Sequence, residues 1–486
     1  MTPSTLTEIS ARPASPDVRR HRVGGAPAAP PPTAVAKRTR LLLDGPIVST
    51  LLRLAAPNVI VNVVLIAVTA SVDAYFVGKL GPAALAGLSL VFPLLMLMQQ
   101  MANSSMGGAI ASAIARAIGS GRRDDASSLV IHGLLIAGGV AALFTGVLLI
   151  AGPTIYALMG GRGEVLAAAV EYSAAIFGGG LVYWLLSALT SVVRGTGQPG
   201  VLAFVYIGAE VLHIALVPIL VFGVGPIPAL GITGAGLATV ASFGVSTGVL
   251  AWYVASGRTA LRLSLRRVQL ERRLFTEILR VGAPMSLQPI LNNFALATLT
   301  AFVGTLGPTA LAGFGVAVRL EYIQYPLTYG LGAAVIAMVG TNIGAGQSAR
   351  ATRIAWTAAG LAVGLTGSIG LLAFAWPAAW TSFFSTSPAV QLSAASYLCI
   401  AGLAYPVLGL GLIMASTFQA AGRPSWPLLA TAGRVLVMAG GGWLAIHVVG
   451  TGVAGLGVVA ASGLVVYAAT LVIAFRRGAW AKRTVA

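Results

Sequence analysis

Apolar residues along this chain fall into long blocks separated by short breaks of glycine, proline and charge. About twelve blocks can be delimited, near 50–77, 83–115, 127–151, 165–190, 200–222, 232–254, 275–302, 309–341, 352–375, 389–418, 425–447 and 453–475. Each exceeds the roughly 20 residues a helix needs to cross a hydrocarbon core of ~30 Å. Lipid offers no water to backbone N–H and C=O groups, so such blocks must close their hydrogen bonds internally, as helices. Composition agrees: 57% hydrophobic and 9% charged residues, with a mean hydropathy of +0.90, exclude a water-soluble globule of this length. The expected fold is an all-α polytopic membrane protein with about twelve transmembrane helices.

Positive charge orients the blocks. Arg19, Arg20, Arg22, Lys37, Arg38 and Arg40 precede the first. Arg122, Arg123 and Arg194, the cluster from Arg258 to Arg273, then Arg350, Arg353, Arg423 and finally Arg476, Arg477, Lys482 and Arg483 fall at every second junction. The alternate junctions hold only Lys79, Arg162 and Glu164. The positive-inside rule then places both termini and the central linker in the cytoplasm. The net charge of +18 is explained by topology and contact with anionic lipid, and no soluble domain exists to bind nucleic acid. Residues 1–47 lack the apolar core of a signal peptide and are expected to form a disordered basic tail. Residues 256–274 form a basic linker, either an amphipathic surface helix or a simple tether, and 476–486 a second tail. Cys399 stands alone, which rules out an intrachain disulfide or a cysteine-based metal site.

Between the tails the chain is written twice. L-A-A-P, Y-F-V-G-K-L-G-P-A-A-L-A-G and A-R-A-I-G-S-G in Leu54–Gly121 return as V-G-A-P, T-A-F-V-G-T-L-G-P-T-A-L-A-G and G-T-N-I-G-A-G in Val281–Gly346. Residues 48–255 and 275–475 are therefore expected to form two six-helix bundles related by pseudo-two-fold symmetry. Transporters built this way place their site between or within the repeats and move one against the other.

Charge inside a span costs about 2.5–3.5 kcal/mol on insertion scales, so each exception is a functional candidate. Asp73 lies late in the first block, where the second half has Leu299. It reads either as a proton- or cation-coupled switch or as a helix-end acid solvated by an outer vestibule. Glu210 and His213, three apart on one helical face, either share a proton or pair locally against a neighbouring helix. Metal binding is not supported. Arg319 and Glu321 are two apart and cannot face each other, so each needs a partner elsewhere. Arg434, mid-span, also needs an acid or carbonyl partner. Glu210, at nearly the corresponding place in the first half, suggests a bridge between halves. Pro57 and Pro284 invite kinks and are candidate hinges, with static packing as the alternative. Tyr75, Phe92, Tyr183, Trp184, Tyr322, Tyr325 and Tyr405 are candidate cavity liners, with packing as the equal alternative, and Asn292 and Asn293 are candidate cavity residues. No paired-acid, Ser/His or metal-ligand set suggests an enzyme.

These residues carry a resemblance. The doubled motifs above, with R-G-T-G-Q-P before span five, G-I-T-G-A-G-L-A-T before span six and F-Q-A-A-G-R-P in the second half, resemble the multidrug and toxic compound extrusion (MATE) transporters from about residue 48 to 475. The resemblance implies a secondary-active exporter that rocks between inward- and outward-open states, exchanging H⁺ or Na⁺ for amphipathic, often cationic compounds. It puts Asp73 on the family's span-one acid and Thr239 on its span-six threonine, with bending near Pro57 as the transmitted motion. In one branch span five carries an Asn and, four residues on, an Asp before Pro. Here those positions are His213 and Val217. The other branch has acids in spans seven and ten. Span seven here offers Asn292 and Asn293, and span ten no acid. The chain is thus closer to the proton-coupled DinF-like branch, with Glu210 and His213 in the missing partner's role, no cofactor beyond H⁺, and Na⁺ as the alternative ion. In the implied cycle, protonated Asp73 releases a cationic cargo outward and the recharged carboxylate draws the next. A lipid-linked oligosaccharide flippase of the same superfamily is the other reading. A monomer in the plasma (inner) membrane, in contact with bilayer and small-molecule cargo, is expected.

Overall fold

The computed structural model describes residues 34–259, 261 and 269–481. Most of the expected N-terminal tail, most of the basic run of the linker and the last five residues lie outside the described residues. One part of the expected disordered tail is helical: α1 spans Ala34–Asp44, and Leu42 is buried against the second half.

The first half comprises α2 (Ile47–Gly78), α3 (Pro82–Gln100), a π-helical turn (Met101–Met106), α4 (Gly107–Gly119), α5 (Arg123–Leu158), α6 (Gly163–Gly178), α7 (Gly180–Gly195), α8 (Gly200–Phe222) and α9 (Gly231–Ala255). The second comprises α10 (Arg272–Gly304), α11 (Pro308–Gly344), α12 (Ser348–Ala375), short α13 (Pro377–Phe384), α14 (Pro388–Ala401), α15 (Tyr405–Ala420), α16 (Ser425–His447) and α17 (Val453–Arg476). The α3–π–α4 run and the α14–α15 pair each act as one span. Among the described residues nine helices are long and apolar enough to cross a membrane, and α6 with α7 makes a tenth, bent by 45°. Helices α2 and α10, of 32 and 33 residues, complete the expected twelve.

The repeat motifs now have separate physical causes. Gly81 and Gly307 adopt φ of 120° and 104°, closed to residues with a Cβ, and the prolines that follow open α3 and α11 at the position where a missing N–H costs nothing. In each Gly-x-Gly the second glycine, Gly121 or Gly346, has positive φ and ends its helix in a Schellman motif: Arg122 N–H donates to Ala117 O at 2.9 Å, Gln347 N–H to Asn342 O at 2.8 Å. The first glycine serves contact. A Cβ at Gly119 would overlap the Thr341 carbonyl oxygen, and one at Gly344 the Arg116 carbonyl oxygen. Helices α4 and α11 thus cross backbone to backbone at two reciprocal points.

That crossing closes the molecule at the face where the arginine-rich junctions emerge, here called the basic face. Other bonds between halves support it. Arg116 Nη1 donates to Ala420 O at 2.9 Å, Gln419 Nε2 to Ser104 O at 2.8 Å, and Ser105 Oγ to Met285 O at 2.9 Å. Asn342 Nδ2 donates to Leu42 O at 3.0 Å, which ties α1 to α11.

Candidate functional site

Toward the opposite face the halves separate around a cavity of about 470 Å³. Helix α3 and the π turn supply Phe92, Met96, Gln99, Gln100, Asn103 and Ser104. Across from them, α10 supplies Asn292, Asn293, Leu296 and Leu299, and α11 supplies Glu321, Tyr322, Tyr325 and Tyr329. Tyr397, Arg434 and Met438 complete the second-half wall. Toward the basic face the space narrows to a cleft of about 80 Å³ between Gly107, Gly108, Ala111, Ser416 and Gln419. Between this cavity and the basic face stand the narrow cleft and the α4–α11 crossing.

Of the aromatic and amide residues read as liners, Asn292, Asn293, Phe92, Tyr322 and Tyr325 are placed there. Four others are not. Tyr75 lies on the outside of α2, 61% exposed, with Lys79 Nζ 4.4 Å from its ring centroid, an arrangement suited to a membrane interface. Tyr183, Trp184 and Tyr405 are buried inside their own halves. Tyr183 is held there because its hydroxyl accepts from Asn103 Nδ2.

The intramembrane charges resolve into two separate sites. In the first half Asp73 is 4% exposed, Glu210 4% and His213 2%, which removes the reading of Asp73 as an acid solvated by a vestibule. His213 Nε2 lies 3.0 Å from Asp73 Oδ1, and Tyr172 Oη donates to Asp73 Oδ2 at 3.3 Å. Thr69 Oγ1, one turn before Asp73 on α2, donates to Glu210 Oε1 at 2.7 Å. Glu210 and His213 share a helical face, yet each is engaged across the interface by α2. Thr239 donates to Ala235 O in its own helix at 3.2 Å. Among the described residues, Glu210 Oε2 and His213 Nδ1 are buried without a hydrogen-bond partner, while His213 Nε2 and Asp73 Oδ1 face each other. No group of three or more His, Cys, Asp or Glu suited to a metal occurs among the described residues.

In the second half Arg434 Nη2 lies 3.3 Å from Glu321 Oε1, the acid partner its position demanded. The expected Glu210–Arg434 bridge between halves is not formed. Glu210 faces α2 inside the first half, whereas α16 turns Arg434 toward α11. Arg319, two residues from Glu321, points elsewhere and lies over the Phe384 ring at 5.1 Å. Pro57 and Pro284 both lie inside continuous helices, α2 and α10.

The sequence reading missed the amide-rich floor: Gln99, Gln100, Asn103 and, on α2, Asn62. A signal was present, since Gln99–Ser105 puts five polar side chains into seven residues in mid-span. It coincides with the π turn, a form that recurs at functional sites because it re-aims side chains within a helix. Thr69 and Tyr172 were also missed. They are uncharged residues whose importance comes only from their bonds to Glu210 and Asp73.

Comparisons with known proteins agree with this architecture. The MatE family model matches residues 59–219 and 284–444, once in each half. A protein named FAD transporter from Shewanella oneidensis is 28% identical over 82% of this chain and 87% of its own length. A probable multidrug resistance protein NorM from Thermotoga maritima is 24% identical over 74% of this chain and 77% of its own length. Among solved structures, the outward-facing conformation of a multidrug resistance MATE family transporter superposes with a TM-score of 0.84 at 25% identity, covering 92% of this chain and 99% of that one.

Proposed function

Because the chain belongs to the MatE family of integral membrane transporters, we propose that it exports small amphipathic molecules through the cavity between its halves, driven by protons that enter through the Asp73–His213 site. It is a transporter and not an enzyme, and its relatives include multidrug exporters. The proposed orientation puts the basic face and both termini in the cytoplasm of a cell bounded by its plasma (inner) membrane. The cavity then opens outward, and α4 crossing α11 is the closed cytoplasmic gate. Residues 48–255 and 275–475 act as the two lobes of a rocker switch. One chain supplies both, so a monomer is the proposed transport unit.

One observation carries the coupling: three titratable side chains, Asp73, Glu210 and His213, lie buried together, with His213 Nε2 3.0 Å from Asp73 Oδ1. Two carboxylates and a neutral imidazole would bury two negative charges, a costly state. One proton on His213 gives Asp73 an ion pair, and a second neutralises Glu210. Loss of those protons leaves mutual repulsion between α2 and α8 and favours a conformation that admits water. A proton can shift the lobe equilibrium only by its differential affinity for the two states, and this pocket supplies such a difference.

The cavity geometry alters the cycle implied by resemblance. Asp73 does not line the cavity, so the proposed proton and cargo do not compete for one carboxylate. Coupling passes through α2, which carries Thr69 and Asp73, packs on α8 and α11 and contains Pro57 as the proposed hinge. Pro284 has the equivalent place in α10. The relatives' names span multidrug export and FAD transport, which leaves cargo charge to be read from this chain's own cavity.

The test is cargo efflux in proteoliposomes with a pH gradient and a Na⁺ gradient imposed separately. The wild type should respond to the pH gradient, and Asp73→Asn should abolish that response while the purified protein keeps its melting transition. Undiminished pH-driven efflux in Asp73→Asn, or a response to Na⁺ alone, refutes the proposal.

A further inference from the structure

The cleft that continues the cavity toward the basic face contains a charge without a countercharge. Among the described residues that line it, Arg194 is the only ionic side chain. No carboxylate pairs with Arg194 among the described residues, whereas Arg116 has Glu277 and Arg434 has Glu321. Its Nε donates to Asn58 Oδ1 at 2.9 Å. Nη1 and Nη2 make no hydrogen bond among the described residues and are not fully buried. The titratable groups that act on the guanidinium are the phenols of Tyr206 and Tyr183. The acids of the first-half pocket are remote. Asn58 holds Arg194 and Thr69 holds Glu210, and those two α2 residues stand about 16 Å apart along the helix axis.

The helix crossing does not itself require this charge. R-G-T-G-Q-P, which begins at Arg194, answers Q-A-A-G-R-P, which begins at Gln419. An amide thus serves in the second half, where Gln419 Nε2 donates to Ser104 O across the halves. The last turn of α7 offers Arg194 only about half a unit of negative charge from the helix dipole. What remains is a guanidinium held at Nε, with two open Nη groups beside a space of about 80 Å³. Drug-sized ligands need roughly 300 Å³ or more, so this space suits a single functional group. The planar fork of N–H donors matches a carboxylate or phosphate. Neutral amides in the lining, such as Gln288 and Gln419, can serve a ligand of either sign, and in the adjoining cavity Glu321 is matched by Arg434. Arg194 therefore sets the net charge. We propose that Arg194 makes this cleft an oxyanion site, which takes one carboxylate or phosphate group. Ser104, Asn292 and Tyr329 line both cleft and cavity, so the group can belong to a molecule whose body fills the larger space. That arrangement rests on reading the cavity as the cargo site; a free anion needs only the cleft.

Three probes test it on the purified full-length protein in detergent, with no gradient present: 7-methoxycoumarin-4-acetate, its uncharged amide, and inorganic phosphate. Fluorescence anisotropy reads the two coumarins and calorimetry reads phosphate. A wild-type preference for the carboxylate over the amide of roughly tenfold to a hundredfold supports the site and assigns the anion to cargo. Phosphate binding without that preference supports the site and assigns it to a free ion. In either case Arg194→Gln should abolish the anion's advantage and leave the amide's affinity unchanged. Arg194→Lys, which keeps the charge and loses the fork, should retain part of it. If Arg194→Gln fails to fold, Arg194→Lys decides, and an undiminished anion advantage in that variant overturns the proposal. It is also overturned if the wild type favours neither anion, or if the preference survives in folded Arg194→Gln. Amide binding without an anion preference refutes the oxyanion site and leaves the cavity as cargo site; if neither coumarin binds, the phosphate arm still decides. Failure of the Asp73→Asn test leaves this site standing.

Discussion

Replacing Gly119 and Gly344 by alanine should shift the protein away from the conformation described here. Each glycine meets a main-chain carbonyl of the other half, Gly119 against Thr341 and Gly344 against Arg116. No side-chain rotamer can relieve an overlap with backbone, so the lobes must part at the basic face to admit a methyl group. Alanine favours the helix over glycine by about 1 kcal/mol, but that gain is common to every state in which α4 and α11 remain helical, and it cancels. What survives is the overpacking cost of the closed basic face, about 1–3 kcal/mol per site. That converts to a population shift of roughly 5- to 150-fold toward the state open at the basic face. The two sites share one crossing, so the double substitution is expected to give less than the sum. The shift can be read by pulsed electron paramagnetic resonance between spin labels at exposed Arg123 and Ser348, after Cys399, the single native cysteine, is changed to serine. The variants should add or enlarge a long-distance population. An unchanged distance distribution in a folded Gly119→Ala, Gly344→Ala protein would refute the reading of this crossing as a gate.

Two further outcomes follow from the paired groups. Glu321→Arg and Arg434→Glu should each lower stability by about 3–5 kcal/mol, as breaking a buried ion pair does, and the double swap should recover most of it; the same swap between Glu210 and Arg434 should show no recovery. Melting of the purified proteins in detergent measures both. Thr69→Val removes the donor to Glu210 Oε1 and should cost about 1–3 kcal/mol in the same assay, and a loss below the measurement error would argue that this contact does not form.

The spans were legible because a block of apolar residues longer than the bilayer core has few alternatives to a helix. Their interruptions were less so. The α6–α7 bend and the π turn at Met101–Met106 cost little in hydropathy, so an apolar window runs through them. Asp73, Glu210, His213 and Arg434 stood out because each is a charge or imidazole in an apolar setting. Their partners did not. A spacing of three made Glu210 and His213 resemble one pair, yet Thr69 and Asp73 divide them across the α2–α8 interface. Arg434 demanded an acid, and more than one was available. The choice of Glu321 over Glu210 depends on how the helices pack within each half, which no local pattern records. Tyr183 and Trp184 were misplaced for a related reason: an aromatic residue in an apolar helix carries no mark of whether it faces a cavity or a neighbouring helix.

The repeat itself shows how the labour is divided. At a spacing close to that of the motifs, Asp73 corresponds to Leu299, Tyr172 to Tyr397, Glu210 to Arg434 and His213 to Met438. All four second-half residues line the central cavity, and none of the four first-half residues does. The same four places in the fold have thus become a cavity wall in one half and a buried acid–imidazole pocket in the other. The cavity wall pairs its guanidinium with Glu321, whereas the buried pocket holds two acids and an imidazole. Cargo and proton, on this reading, never meet. The proposed exchange must then be enforced through the interface between the halves, where α2 and α4 pack against α11 and the two reciprocal glycines allow the backbones to touch.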